Sequence, residues 1–152
     1  MHRRALLTSA AILLAALAGC SSEPAAPKPM PAPDLTGAWA PMSAVLGGRD
    51  FAVANFHGGQ LVVAAGNSYD FAGDRGQITL LPGTRPPYKM DIQGKQGPNA
   101  GRTILAAYMK ENEDLVVCYQ LARDGQRPES LNSPEGTQIL LVRFKRVADL
   151  RG

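Results

Sequence analysis

A chain of 152 residues with 16 glycines, 12 prolines and 6% aromatic side chains suits one domain built on aliphatics, with many turns between short strands rather than long helices. The formal charge is +3, but two of the 16 basic residues, Arg3 and Arg4, sit in a leader, and removing them leaves 14 against 13 acidic side chains. That near balance excludes an electrostatic case for nucleic acid as a partner.

The chain opens on Met1-His2-Arg3-Arg4, followed by Ala5 to Ala18, apolar except for Thr8 and Ser9. This run is shorter than the roughly 20 apolar residues that span a bilayer. A basic start, a short apolar stretch and small residues at the cut read as a secretory signal over residues 1–19. Leu17-Ala18-Gly19-Cys20 resembles the bacterial lipobox. The resemblance implies a diacylglycerol on the Cys20 thiol, cleavage that leaves Cys20 first, and acylation of its amine, for instance by palmitate. Each buried methylene contributes about 0.8 kcal/mol, so one chain holds marginally and several hold stably. Ser21 and Ser22 follow, with no Asp beside Cys20. Among proteins with that motif, this pattern implies sorting to the outer membrane, facing the periplasm. Membrane lipid is thus the first expected partner.

Residues 20–34 form a linker carrying Pro24, Pro27, Pro29, Pro31 and Pro33. Proline at this density fixes φ and removes donors, so neither helix nor sheet is expected. An extended polyproline II spacer of about 3.1 Å per residue would hold the domain off the membrane.

The folded domain is expected over residues 35–147, with a tail at 148–152. Its first strand runs from Leu35-Thr36-Gly37-Ala38-Trp39 to about Leu46, and Gly47-Gly48-Arg49-Asp50 breaks it. Phe51 to Phe56 suits a turn or two of helix, capped by Asp50 and stopped by Gly58-Gly59. Strands follow at Gln60 to Ala65 and Ser68 to Ala72, joined by a Gly66-Asn67 turn. Gly73 to Gly76 leads into a strand at Gln77 to Leu81, and Pro82 to Pro87 is a loop. From Tyr88 to Gln93 the chain alternates, placing Tyr88, Met90 and Ile92 on one face. After a loop at Gly94 to Gly101 comes a hairpin with arms Thr103 to Met109 and Leu115 to Leu121 around Glu111-Asn112-Glu113-Asp114. Both arms are apolar on both faces, which marks a central pair rather than a solvated edge. A long loop, Arg123 to Thr137, precedes the last strand, Gln138 to Arg146, with Leu140, Val142 and Phe144 facing in. Eight short strands, one brief helix and no βαβ unit make an all-β protein, an up-and-down antiparallel barrel or a sandwich. Pairing of the first strand with the last would close the barrel and remove sheet edges.

Leu35-Thr36-Gly37-Ala38-Trp39 resembles the L-x-G-x-W opening of a small domain family abundant in planctomycete bacteria. Gly101-Arg102-Thr103, Tyr108, Leu115, Cys118, Arg127-Pro128 and Leu140-Leu141-Val142 to Lys145-Arg146 resemble that family in order and spacing. The similarity covers nearly all of residues 35–146 and departs at Gln77 to Leu81, where the family has Gly-Thr-Tyr before the strand. It implies a small eight-stranded lipocalin-like barrel and brings no activity with it. It also implies that Trp39 plugs the barrel floor, with its indole N–H on a carbonyl.

No catalytic constellation, metal-ligand spacing or cofactor motif stands out. His57-Gly58-Gly59 superficially resembles an oxyanion-hole loop, but no Gly-x-Ser-x-Gly accompanies it. One histidine does not make a zinc site. Cys118 lies in an apolar strand and reads as a small hydrophobe. Glu111, Glu113 and Asp114 lack the alternating oxygen ligands of a calcium loop. Arg127 is expected to hold its loop against the barrel, or to meet a carboxylate or ligand at the barrel mouth. A barrel of this size is either filled or just wide enough for one small ligand, and Ala106, Ala107, Ala64 and Ala65 leave room. Arg127, Tyr108 and Trp39 are the candidate ligand-binding residues, and Cys20 is the lipidation site. The expectation is a non-catalytic envelope lipoprotein that binds a small apolar molecule or another envelope protein. The alternative is a hydrolase-like envelope enzyme with its site at the barrel mouth.

Overall fold

Alternating apolar residues on successive short strands leave each strand one face to bury, and here the sheet buries them by closing on itself. The computed structural model describes residues 30–147 together with Gly19 and Lys28. The leader, Cys20, the remaining linker and the 148–152 tail lie outside the described residues.

The strands are β1 (Gly37–Leu46), β2 (Arg49–Phe51), β3 (Leu61–Val63), β4 (Ser68–Phe71), β5 (Asp74–Leu81), β6 (Tyr88–Gln96), β7 (Thr103–Glu111), β8 (Asp114–Gln120) and β9 (Ile139–Arg146). All pairings are antiparallel. From β3 to β9 each strand pairs with the next in sequence, and β1 closes the ring by pairing with both β3 and β9. The result is an eight-stranded up-and-down, lipocalin-like barrel with β2 as an additional strand. β1 makes closure possible because it is long enough to share one edge. Its first third, Gly37 to Trp39, pairs with β3, and its end, Ala44 to Leu46, pairs with β2.

Several sequence expectations shift locally. Arg49 and Asp50 do not break the chain; after the Gly47-Gly48 turn they belong to β2. The expected helix is one 3-10 turn, Val53–Phe56, whose cap position is Ala52 and not Asp50. The strand expected to reach Ala65 stops at Val63. Ala64 and Ala65 are exposed in the turn and leave no room inside the barrel. β5 begins at Asp74, ahead of the expected Gln77, and its register slips by one residue between Arg75 and Gly76. Residues 30–34, expected as free spacer, lie on the barrel. Met30 keeps an N–H between two prolines and donates it to the Gly83 carbonyl (3.1 Å), and Ala32 packs on the core.

Two apolar layers result. The inner one contains Trp39, Leu61, Val63, Tyr69, Ile78, Met90, Ile92, Ile104, Tyr108, Leu115, Val117, Val142 and Phe144. The outer one, Val116, Cys118 and Leu141, is covered by the 122–138 segment through Leu131. This accounts for the central hairpin being apolar on both faces. β8 faces the barrel on one side and that segment on the other.

The ends of the barrel differ. One carries residues 30–36, the β3–β4 turn, the β5–β6 loop and the β7–β8 hairpin. Trp39 fills it, fully buried, with its indole N–H donated to the Leu35 carbonyl at 2.9 Å. Lys110 and Arg146 lie over the indole at 5.9 and 5.4 Å from the ring centroid. Gly37 makes room for this stack. Its φ is +138°, and a Cβ there would come within 3.2 Å of the Arg146 guanidinium. The glycine and tryptophan of the opening motif thus serve one structure, a closed floor. The opposite end is formed by β2, the 3-10 turn, the β4–β5 turn and the 97–102 loop.

Candidate ligand cavity

A cavity of about 450 Å³ runs from that opposite end, the mouth, down the barrel to Leu35. Its wall is largely apolar and includes Phe51, Phe56, Leu61, Phe71, Ile78, Met90, Ile92, Ile104, Leu121 and Leu140. Small residues stand beside the wall. Gly76 and Gly94 are register partners, and Ala106 lies opposite Met90. The Tyr69 ring folds against Gly76, where a Cβ would stand 3.0 Å from its edge. Gly94 has a second role. A Cβ there would collide with the Asn99 carbonyl oxygen at 2.0 Å, so only glycine lets the 97–102 loop double back over the mouth. Gly94 N–H donates to the Arg102 carbonyl, and Gly101 N–H donates back to Gly94, both at 2.9 Å.

That loop carries the polar groups of the rim. Asp74, first residue of β5, accepts three hydrogen bonds: from the Tyr69 hydroxyl (2.9 Å), the Asn99 backbone N–H (3.1 Å) and Asn99 Nδ2 (2.9 Å). Burial first, and then the hydrogen bond to Asp74, push the Tyr69 hydroxyl far above the usual phenol range, so it stays a neutral donor. Arg102 completes the rim. One terminal nitrogen donates to Asn99 Oδ1 at 3.5 Å and the other to the Leu121 carbonyl, while Nε is buried and has no partner among the described residues. Tyr119, also in the wall, is held neutral by burial and then by its neighbours Tyr69 and Cys118.

The three ligand candidates named from sequence lie elsewhere. Trp39 belongs to the floor. Tyr108 is fully buried beside it, ring to ring with Tyr88 at 5.8 Å, its hydroxyl 3.4 Å from the Pro33 carbonyl. Arg127 is outside the barrel. It donates to the Met90 and Ala106 carbonyls (2.7 and 3.0 Å) and pairs with Asp91 at 2.5 Å, pinning the 122–138 segment across β6 and β7. Its carboxylate partner is therefore on the outer wall and not at the mouth. The hairpin acids Glu111, Glu113 and Asp114 are exposed at the floor end. His57 is exposed and lines an open depression of about 480 Å³ that adjoins the cavity at Phe56 and Ala72. Among the described residues no group of three or more His, Cys, Asp or Glu is placed to hold a metal ion. Cys20 lies outside the described residues.

Sequence reasoning missed Tyr69, Asp74, Asn99 and Arg102 as a site. The one available signal was Arg102, a lone cation immediately before an apolar inward-facing strand. Asp74 and Asn99 read as ordinary turn residues, and only closure of the barrel brings them together. Compared with family models, curated proteins and solved structures, the chain matches none.

Proposed function

We propose that this protein is an envelope lipoprotein, tethered through an acylated Cys20, whose barrel binds a small, largely apolar molecule without transforming it. The observation that carries this reading is the cavity itself. Its volume of about 450 Å³ falls within the 300–1,000 Å³ typical of small-molecule sites, and its few polar groups converge at one end. The wall contains no serine, cysteine, histidine or lysine, the usual nucleophiles and bases. Asp74, the one carboxylate of the wall, is held by Tyr69 and Asn99. With no hydroxyl or thiol nucleophile of Ser or Cys and no His beside it, no nucleophile–base pair is assembled there, which weighs against the hydrolase-like alternative. Anchoring and export rest on the lipobox and leader.

Native mass spectrometry of the full protein, purified from membranes in a non-ionic detergent, tests the binding reading. A discrete adduct that survives in the folded protein and disappears on denaturation is expected. A bare mass in every preparation, together with no uptake of the apolar fluorophore N-phenyl-1-naphthylamine, would overturn it.

A further inference from the structure

We propose that the ligand is an amphiphile with a carboxylate head, its chain lying along the barrel axis and its head held at the mouth by the Arg102 guanidinium. The proposal rests on the binding reading above and specifies which molecule the cavity takes.

Three observations carry it. The first is the orphan donor. A buried N–H without a partner is costly, and native proteins rarely leave one unmatched. Arg102 Nε is the one buried side-chain nitrogen or oxygen without a hydrogen bond among the described residues, and it belongs to a residue of the cavity wall. The second is the unbalanced charge. The ion pairs among the described residues are Arg75 with Asp70 and Arg127 with Asp91. Arg102 has only a carbonyl and a long amide contact. Asp74, the one acid of the cavity wall, makes no ion pair with it; the Asn99 side-chain amide stands between them, donating to Asp74 and accepting from Arg102. The third is the shape of the apolar space. It extends from that rim to Leu35, the direction a chain would take with its head at Arg102. A methylene in a liquid fills about the share of one water, about 30 Å³, so a cavity of about 450 Å³ has room for about fifteen such groups at most, enough for a ten-carbon chain with its head.

An anionic head suits this donor better than a neutral one. A hydrogen bond between charged partners is roughly twice as strong as one between neutral groups. It also neutralises a guanidinium that is partly withdrawn from water. A cationic head would meet Arg102 with like charge, and Asp74, the one carboxylate of the wall, already shares its charge among three hydrogen bonds from Tyr69 and Asn99.

The test uses the full chain carrying Cys20→Ala, which removes the acylation site, and isothermal titration with three ten-carbon probes: decanoate, decanol and decyltrimethylammonium. Decanoate is expected to bind about tenfold tighter than decanol, the difference between a charged and a neutral hydrogen bond. The ammonium is expected to bind most weakly. Arg102→Met should reduce decanoate to the level of decanol and leave decanol unchanged. The ranking on the unaltered cavity stands as a test even if that variant fails to fold. Equal binding of decanoate and decanol would overturn the carboxylate proposal and leave the cavity reading intact, as would preference for the ammonium. No binding of any probe would overturn both.

Discussion

Trp39 shows how much one side chain settles. Its indole is fully buried, its N–H has a carbonyl 2.9 Å away, and two cations lie over its ring. Removal would leave a large void at the one end of the barrel that carries no natural opening. Trp39→Ala is expected to cost about 3–5 kcal/mol of stability, measured by urea denaturation. A loss below about 0.5 kcal/mol, typical of surface positions, would contradict this placement. Asp34 supports the same corner. Its carboxyl accepts the Thr36 backbone N–H and hydroxyl, which hold its pKa below the usual range, with Lys110 and Arg146 adding to the effect. That contribution is present above the ordinary aspartate pKa and is lost as pH falls through the lowered value.

Among elements, the 122–138 segment converts a two-faced strand pair into part of a core. Val116, Cys118 and Leu141 would be a bare apolar patch on the barrel wall without it. Arg127 is the clasp, because its guanidinium reaches two backbone carbonyls and the Asp91 carboxylate at once. Pro128 beside it is buried. Cys118 reports on this lid. Burial pushes its thiol up to about 11, against a smaller opposing pull from Arg143. In the closed protein it is therefore both covered and protonated at neutral pH, and iodoacetamide should modify it slowly. Arg127→Met should speed modification by at least about tenfold at pH 8, because the segment opens more often and the exposed thiol returns towards its ordinary pKa near 8.5. An unchanged rate would mean that the segment is held by its apolar contacts alone.

For the molecule as a whole, residues 30–34 and the mouth lie at opposite ends of the barrel. Residues 30–34 run along the closed floor, with Lys110 Nζ on the Asp34 carbonyl at 2.9 Å, and the cavity opens at the far end. A protein anchored through Cys20 would present its mouth on the side of the domain away from the tether. Cys20→Ala is expected to move the protein from the membrane fraction to the soluble fraction after cell lysis and ultracentrifugation. Retention in the membrane fraction would count against a lipid anchor, since no other acyl chain is invoked to hold it.

Strand alternation carried most of the barrel in the sequence itself. Tyr88, Met90 and Ile92 on one face, Leu140, Val142 and Phe144 on another, and apolar arms at Thr103–Met109 and Leu115–Leu121 all require burial, and period-two side chains leave few ways to achieve it. The floor role of Trp39 came from the resemblance of its opening motif and not from local pattern; the Leu35 carbonyl is a near neighbour, but Lys110 and Arg146 over the ring come from far along the chain. What local sequence did not hold was anything made by residues far apart in the chain. Asp74 meets Asn99 across 25 positions, and Arg127 finds Asp91 across 36. A carboxylate in a turn carries no mark of its future partner. Whether the barrel was filled or hollow was equally out of reach, since it depends on how side chains from distant strands, such as Phe56, Ile78, Ile104 and Leu140, meet once the barrel closes. Pattern determines which faces turn inward, and the register of closure decides what they enclose.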